Sequence, residues 1–202
     1  IVVGFTAFTV QVKTAAYMAW LIKEQFRSIV TILGGAHVTA LPTETLREFP
    51  NSFDCVIPGE GEAIFPKLFD NLNSLSSVPG VFTNDTPVDD GIPWHNRQAQ
   101  KNLFARVIDL DDIPFPRWES FNLENFEGDK PGDHRLKLPM STSRGCMYTC
   151  NFCSRNFGRR RLYRSEDSVI DEMSRNHTDF GADYIDFLDE TFVASKKVSE
   201  RL

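Results

Sequence analysis

Short segments rich in β-branched residues alternate with segments of helical apolar spacing through the first 75 residues. This pattern predicts strands at residues 1–5, 29–33 and 54–57, and helices at residues 12–26, 43–49 and 63–72. Glycine-containing loops at Gly34-Gly35 and at 58–62 join these segments. Strands that alternate with helices through short loops are typical of a parallel sheet covered on both faces. The sequence therefore predicts a Rossmann-like α/β domain at residues 1–75.

Residues 76–136 differ from that pattern because they hold six of the eleven prolines and no sustained helical periodicity. An acidic cluster at 109–112 precedes Ile113-Pro114-Phe115-Pro116. Proline fixes the backbone and removes a hydrogen-bond donor, so we expect an ordered connector with one short strand near 80–83.

A second α/β pattern occupies residues 137–202. We predict strands at 138–143 and 184–188, and a further helix that begins near Ser195. Ser165, followed by two acidic residues, is a good N-cap for a helix that Gly181 is placed to end. The predicted apolar face of that helix is Val169, Ile170 and Met173. Only about one quarter of a β/α barrel of typical length would fit in this part of the chain.

Three of the four cysteines, Cys146, Cys150 and Cys153, lie within eight residues in the spacing CxxxCxxC. Such clustering is typical of a metal site and of a reducing compartment, so we expect a cytoplasmic protein. Three thiolates can hold three irons of a [4Fe-4S] cluster, whereas an electron-carrying cluster normally has four Cys ligands. The fourth iron would be open, as coordination positions are in catalytic metal sites.

A structural zinc site completed by Cys55 or a histidine is the alternative. Zinc sites usually use paired CxxC or Cys/His units, and the sequence has no second pair, which favours iron. Cys55 lies on an apolar strand and is predicted to be a small buried hydrophobe.

The charge balance is mildly acidic, with 22 Lys+Arg against 28 Asp+Glu and a net charge of -6. This balance argues against nucleic acid or an anionic membrane as the main partner. No apolar stretch approaches the ~20 residues that a membrane span needs. The chain begins without Met inside a strand-like segment and ends within a helical pattern, so we expect a fragment of a larger protein.

The cysteine motif, with Phe152 before its last cysteine and 141–145 ahead of it, resembles the signature of the radical S-adenosylmethionine superfamily. The resemblance implies that residues 137–202 begin that family's β/α partial barrel. It implies that the three cysteines ligate the cluster, that the open iron chelates the methionine moiety, and that Phe152 lies near the adenine. Asp189 and Glu190 match the family's acidic or glycine-rich motif at the second strand and are expected to contact S-adenosylmethionine; a solvated helix cap is the alternative.

The first domain resembles the cobalamin-binding domain of one large subgroup of that superfamily. Thr6-Ala7-Phe8 stands where that domain has Ser-x-Leu, Gly34-Gly35 follows at the expected interval, and 110–116 resembles the usual linker. The resemblance implies that Thr6, Phe8, Gly34 and Gly35 line a cobalamin site, with glycines that let a bulky nucleotide tail approach. The alternative is ordinary strand-to-helix turning in a domain without cobalamin. The cobalt-ligating Asp-x-His-x-x-Gly motif would lie before residue 1.

Other polar residues carry weaker predictions. His37 is expected to be a loop histidine satisfied by the backbone, with a corrin contact as the alternative. Arg159–Arg161 and Arg164 are expected to form a solvated charged face, with binding of a carboxylate or an anionic substrate as the alternative.

The activity implied by the resemblance is radical chemistry. A donor such as a flavodoxin or ferredoxin would reduce the cluster, S-adenosylmethionine would be cleaved to a 5'-deoxyadenosyl radical, and a small-molecule substrate would lose a hydrogen atom. Cobalamin would make the enzyme a C-methyltransferase, although a fragment without the later barrel strands is expected to be inactive. The alternatives are a radical cyclase or oxidoreductase that does not use methylcobalamin, and a non-catalytic iron-sulfur or zinc module.

Overall fold

The computed structural model describes residues 1–86, 106–126, 128, 133–153 and 157–192. The contacts divide the chain into two units, one of Ile1–Val107 with Cys150–Phe157 and one of Ile108–Thr149 with Gly158–Leu202. The domain limits drawn from the sequence stay a prediction. The helix predicted near Ser195 lies outside the described residues.

The first unit is built on a parallel sheet of three strands in the order β1-β2-β3. The strands are β1 at Val2–Thr6, β2 at Val30–Gly34 and β3 at Cys55–Val56. The strand expected near 80–83 is a single antiparallel bridge between Val56 and Phe82.

The helices of the first unit follow the predicted pattern. They are α1 at Val12–Gln25, α2 at Ala36–Ala40, α3 at Pro42–Glu48 and α4 at Phe65–Asp70. Single 3-10 turns occur at Gly61–Ala63 and Leu75–Ser77. The sequence did not predict α2, because five residues beside a double glycine are too few to show a period.

Both faces of this sheet are buried. Successive residues of a strand point to opposite faces, so Ile32 and Cys55 enter one apolar cluster while Leu33 and Val56 enter the other. Helix α1 faces the second cluster through Ala15, Ala16 and Ala19, and α4 faces the first through Leu68. The prediction of a parallel sheet covered on both faces is confirmed.

Cys55 is a core residue, as predicted. Its side chain is fully buried, and burial, together with the Asp54 charge, raises the pKa of the thiol to about 12. A thiol that does not ionise near neutral pH is a poor nucleophile and a poor metal ligand.

The second unit contains two short sheets. Its elements are β4 at Lys137–Met140, β5 at Ser143–Arg144, β6 at Leu162–Tyr163, α5 at Glu166–Phe180 and β7 at Tyr184–Phe187. Strand β4 pairs with β7 in parallel, and β5 pairs with β6 in antiparallel. Single 3-10 turns at Trp118–Ser120 and Leu123–Phe126 pack on this unit's core around Leu138.

Helix α5 confirms the predicted ends but not the predicted face. The Ser165 side chain accepts a hydrogen bond from the Ser168 N–H, and Gly181 adopts the left-handed conformation with φ +73°. Val169 is buried, whereas Ile170 is 58% exposed and Met173 is 37% exposed. The buried face instead includes Glu172 and Asn176.

A buried ion pair explains the position of Glu172. The Arg164 guanidinium contacts the Glu172 carboxylate and also donates to the Ser141 carbonyl oxygen at 3.1 Å. Both side chains are largely buried, at 10% and 3% exposure. The expectation of a solvated arginine face is therefore wrong for Arg164, which links the end of β4 to α5.

Candidate functional site

The carboxyl ends of β1 and β2 bring together the residues predicted for cobalamin. Thr6 pairs with Gly34, so the loops that follow both strands leave the sheet side by side. The Ala7 N–H donates to the Gly34 carbonyl oxygen at 3.3 Å, and Ala7 in turn accepts from the His37 N–H at 3.1 Å. Phe8 stands on the same loop and is 64% exposed. Ligands of open parallel sheets bind at this edge.

The two glycines at this edge have different roles. Gly35 has φ +93° and ψ -172°, a conformation that is essentially restricted to glycine. A Cβ on Gly35 would lie 2.6 Å from Thr6 Oγ1 and 3.0 Å from the Ala7 nitrogen. A Cβ on Gly34 would meet protein atoms only at 3.8 and 3.9 Å. Gly35 therefore lets the two loops pack together, whereas a Cβ on Gly34 would make only ordinary contacts with the protein.

Thr39 joins the loops that follow β2 and β3, and the sequence analysis missed it. Its hydroxyl donates to the Gly35 carbonyl oxygen at 2.9 Å and accepts from the Gly59 N–H at 3.0 Å. Gly59 follows β3 and has φ +84°. The bond to Gly35 had a local signal, because a threonine hydroxyl often donates to the carbonyl oxygen four residues before it in a helix. Its bond to Gly59 spans 20 residues and has no local signal.

His37 lies on α2 and not in a loop. Its ring is buried, and Nδ1 is 3.1 Å from the Thr9 hydroxyl oxygen. The predicted backbone partner is therefore wrong, since the side chain of Thr9 on the β1 loop fills that role. The bond ties the loop that carries Phe8 to the helix that follows Gly35.

Burial lowers the pKa of His37 below its ordinary value, against a smaller opposing effect of Glu48. The unfolded chain then binds more protons than the folded chain as the pH falls below about 6.5. The neutral, buried His37 ring contributes its full stabilisation above the pKa that His37 has in the unfolded chain. This contribution is lost as the pH falls through the lower pKa of His37 in the folded chain. We expect the free energy of unfolding to decline as the pH falls between these two pKa values, with a slope of at most about 1.4 kcal/mol per pH unit.

Urea denaturation between pH 5 and 8 measures this slope, with His37→Asn as the comparison. The variant keeps the other titrating groups, so the difference between the two curves isolates His37. Curves that run parallel over the whole range would contradict a buried neutral imidazole.

In the second unit, Asp189 fastens the chain that enters the cysteine motif. Its carboxylate accepts from the Thr142 N–H at 3.0 Å and from the Thr142 hydroxyl at 2.9 Å, and it also accepts from the Ser143 hydroxyl. Asp189 follows β7, whereas Thr142 follows β4 and Ser143 begins β5. The carboxylate thus sets where the motif begins, and its predicted contact with S-adenosylmethionine stays a prediction.

Glu190 presents its carboxylate beside the first cysteine. The residue is exposed, yet it accepts a hydrogen bond from the Gly145 N–H, directly before Cys146. Desolvation raises the pKa of Glu190, and the Gly145 N–H opposes the shift. A partly dehydrated carboxylate is a good acceptor for an ammonium group.

Gly145 allows Cys146 to lie against the chain that returns from the motif. Its φ is +91°, and a Cβ there would overlap the Arg160 carbonyl oxygen. The Cys146 N–H donates to the Gly158 carbonyl oxygen at 3.1 Å. The sequence analysis quoted Gly145 as part of the motif without giving it this role.

The three motif cysteines are free thiols with different exposure. Cys146 is half-buried, with Sγ 3.2 Å from the Thr191 hydroxyl oxygen. Cys150 and Cys153 are exposed and joined by a turn in which the Cys153 N–H donates to the Cys150 carbonyl oxygen at 3.3 Å. Phe152, between them, is 93% exposed. Within the described ranges, no group of three or more Cys, His, Asp or Glu side chains is gathered as metal ligands.

The sequence analysis also missed the role of Arg161. Its guanidinium donates to the carbonyl oxygens of Thr191 and Phe192, the latter at 3.0 Å, and to the Ser143 hydroxyl at 3.2 and 3.3 Å. Arg161 is therefore not part of a solvated face. No local pattern indicates these partners, of which the two carbonyl groups are 30 and 31 residues away.

Comparisons with known proteins agree with these features. Residues 1–69 match the model of the B12 binding domain. The chain is 32% identical, over 97% of its length, to an uncharacterized methyltransferase of Pyrococcus horikoshii, and covers 41% of that protein. It is 28% identical, over 80% of its length, to cytidylyl-2-hydroxyethylphosphonate methyltransferase of Streptomyces wedmorensis, and covers 34% of it. It is 32% identical, over 85% of its length, to anaerobic magnesium-protoporphyrin IX monomethyl ester cyclase of Rubrivivax gelatinosus, and covers 30% of it.

Among solved structures, the chain matches the radical S-adenosylmethionine methyltransferase TsrM from Kitasatospora setae. The TM-score is 0.65 at 17% identity, over 99% of this chain and 39% of TsrM. A second structure of TsrM, described with cobalamin and a [4Fe-4S] cluster bound, matches with a TM-score of 0.61. The chain thus spans well under half the length of the relatives it matches.

Among the described residues, no helix combines the length and the apolar character needed to cross a membrane.

Proposed function

We propose that the chain belongs to the cobalamin-binding subgroup of the radical S-adenosylmethionine superfamily, and that Cys146, Cys150 and Cys153 hold a [4Fe-4S] cluster that cleaves S-adenosylmethionine. The reduced cluster would supply the electron that breaks a C–S bond and yields a 5'-deoxyadenosyl radical. The observation that carries the proposal is the set of three free thiols in CxxxCxxC spacing, beginning at the carboxyl end of a strand pair.

The chemistry of these donors fits the cluster. Thiolates are the ligands of iron-sulfur clusters, and three of them leave one iron without a protein ligand. Cys146 is already fixed through the Gly158 carbonyl oxygen and Gly145, while the exposed Cys150 and Cys153 are free to take metal. The zinc alternative has no support from Cys55, whose thiol is buried in the core.

Two further residues are proposed to orient S-adenosylmethionine. The Glu190 carboxylate next to Gly145 can accept from the cofactor's amino group, and the exposed ring of Phe152 can pack on its adenine. Asp189 acts on the cofactor through the chain that it holds at Thr142 and Ser143.

We assign cobalamin to the carboxyl edge of the first sheet. Thr6, Gly34 and Gly35 lie together there, and Phe8 is exposed on the same loop. Gly34 ends β2 without a side chain, which would let a bulky nucleotide tail approach the protein backbone there. The match of residues 1–69 to the B12 binding domain supports this assignment.

With both cofactors, the reaction we favour is methyl transfer to a carbon atom of a small-molecule substrate, with a flavodoxin or ferredoxin as the electron donor. Two relatives are named as methyltransferases, which supports methyl transfer. A relative of 32% identity is named as a cyclase, so a radical cyclisation or oxidation is the second candidate.

The test is electron paramagnetic resonance of the full-length protein, with its cluster reconstituted and reduced without oxygen, recorded with and without S-adenosylmethionine. We expect the cofactor to change the cluster signal, because it would bind the open iron. An unchanged signal, or no iron-sulfur signal, would overturn the proposal. Transfer of a methyl group from S-adenosylmethionine to the product separates the two reactions, since a cyclisation or an oxidation adds none.

A further inference from the structure

The Thr191 hydroxyl is the polar group that the structure sets directly against a motif cysteine. Its oxygen is 3.2 Å from Cys146 Sγ, within the range of a hydrogen bond to sulfur. In the free thiol either atom can donate. A metal-bound thiolate has no proton and only accepts, so Thr191 would then be the donor.

Arg161 holds the backbone of Thr191 in this position. The guanidinium donates to the Thr191 and Phe192 carbonyl oxygens and stacks over the Tyr163 ring at 4.8 Å. Nε and Nη2 also share the Ser143 hydroxyl, which in turn donates to Asp189. The loop after β7 is thereby fastened to both strands that flank the cysteine motif.

The same guanidinium retains unused donor capacity. Its Nη1 is buried and has no hydrogen-bond partner among the described residues. A buried, unpaired N–H is costly, which favours an acceptor that the protein itself does not supply. Arg161 thus adds a positive charge and a free donor next to the residue that contacts Cys146.

Hydrogen bonds and nearby charge change the reduction potential of an iron-sulfur cluster. A reduced cluster carries one more negative charge than the oxidised one, so a donor to its thiolate and a nearby cation favour reduction. Asp189 and Glu190 face the same segment and oppose this effect. The Asp189 carboxylate, however, is separated from Arg161 by the Ser143 hydroxyl, to which it is hydrogen-bonded. The Thr191 hydroxyl is in direct contact with the Cys146 sulfur.

We propose that Thr191, held by Arg161, is a positioning residue that hydrogen-bonds the Cys146 thiolate and raises the reduction potential of the cluster. The inference rests on the proposed cluster at Cys146, Cys150 and Cys153. The step concerned is the transfer of one electron from an external one-electron reductant to the cluster. Thr191 keeps its proton throughout.

The test is a redox titration of the reconstituted full-length protein with dithionite, followed by electron paramagnetic resonance. We expect Thr191→Val, which keeps the side-chain size but loses the hydroxyl, to lower the reduced-to-oxidised ratio about tenfold at a fixed potential, equivalent to about 59 mV for one electron. Thr191→Ser, which keeps the hydroxyl, should stay near the parent. Thr178→Val is the matched control, because among the described residues the Thr178 hydroxyl bonds only within α5, to the Ser174 carbonyl oxygen and to Asp179.

Equal midpoints for Thr191→Val and the parent, at equal iron content, would overturn the inference and leave the proposed function intact. Absence of a cluster from the parent would instead overturn the proposed function. If Thr191→Val binds too little iron to titrate, the same redox titration is carried out on Arg161→Lys. It keeps the charge but loses the fork that holds Thr191, so a lower ratio supports the inference and an unchanged ratio overturns it.

Discussion

Replacing Cys146 with alanine is expected to remove the cluster and with it the cleavage of S-adenosylmethionine. Each thiolate holds one iron, so with two thiolates a second iron would have no protein ligand and the cluster would not be retained. Changes beside metal ligands alone cost about 10- to 100-fold, so loss of a ligand is expected to cost at least about 100-fold in cleavage. Iron and sulfide content and the yield of 5'-deoxyadenosine measure the effect, and Cys150→Ala and Cys153→Ala should give the same result.

Cys55→Ala is the matched control for these three substitutions. Its thiol is buried between the sheet and α4, with a pKa raised to about 12, so it should not take metal. We expect this variant to keep its iron and its cleavage activity and to lose only about 1 kcal/mol of stability through a small cavity. Loss of iron from Cys55→Ala at an unchanged fold would instead support a fourth protein ligand and a closed metal site.

Gly35→Ala is expected to have the largest effect on the stability of the first unit. A residue other than glycine at φ +93° costs about 1–3 kcal/mol. The overlap of the new Cβ with Thr6 Oγ1 and the Ala7 nitrogen adds about 1–3 kcal/mol, because backbone atoms cannot move aside easily. We therefore expect a loss of roughly 2–6 kcal/mol in urea denaturation, together with loss of bound cobalamin.

Gly34→Ala tests the neighbouring position without that strain. Its Cβ would stand at ordinary van der Waals distances from the protein, so we expect stability within about 1 kcal/mol of the parent. A reduced corrin content in this stable variant would then report a ligand that approaches Gly34. Equal stability of Gly35→Ala and the parent would contradict the packing of the two loops.

Local patterns accounted for the elements of the fold. Helix α5 begins after Ser165 and ends before Gly181, as predicted, because an N-cap bond spans three residues and a left-handed glycine acts on its own helix end. The strands of the first sheet were predicted to within two residues, because each is a short run of β-branched residues between turns. The motif cysteines needed only their spacing to be recognised as candidate ligands.

Partners distant in sequence account for the incorrect predictions. Ile170 and Met173 were assigned to the core by period alone, yet Glu172 is buried, paired with Arg164 from the segment after β6. His37 was assigned a backbone partner, and the structure gives it the hydroxyl of Thr9, which is 28 residues away.

The amino-acid order was therefore enough to establish the alternating strands and helices, the glycine turns and the three thiols, since each depends on residues a few positions apart. The arrangement around Cys146 required the folded chain. Asp189 meets Thr142 across 47 residues and Thr191 meets Cys146 across 45. Parallel pairing of β4 with β7 brings these side chains to one edge, and such pairing depends on packing between elements, which a linear pattern does not contain.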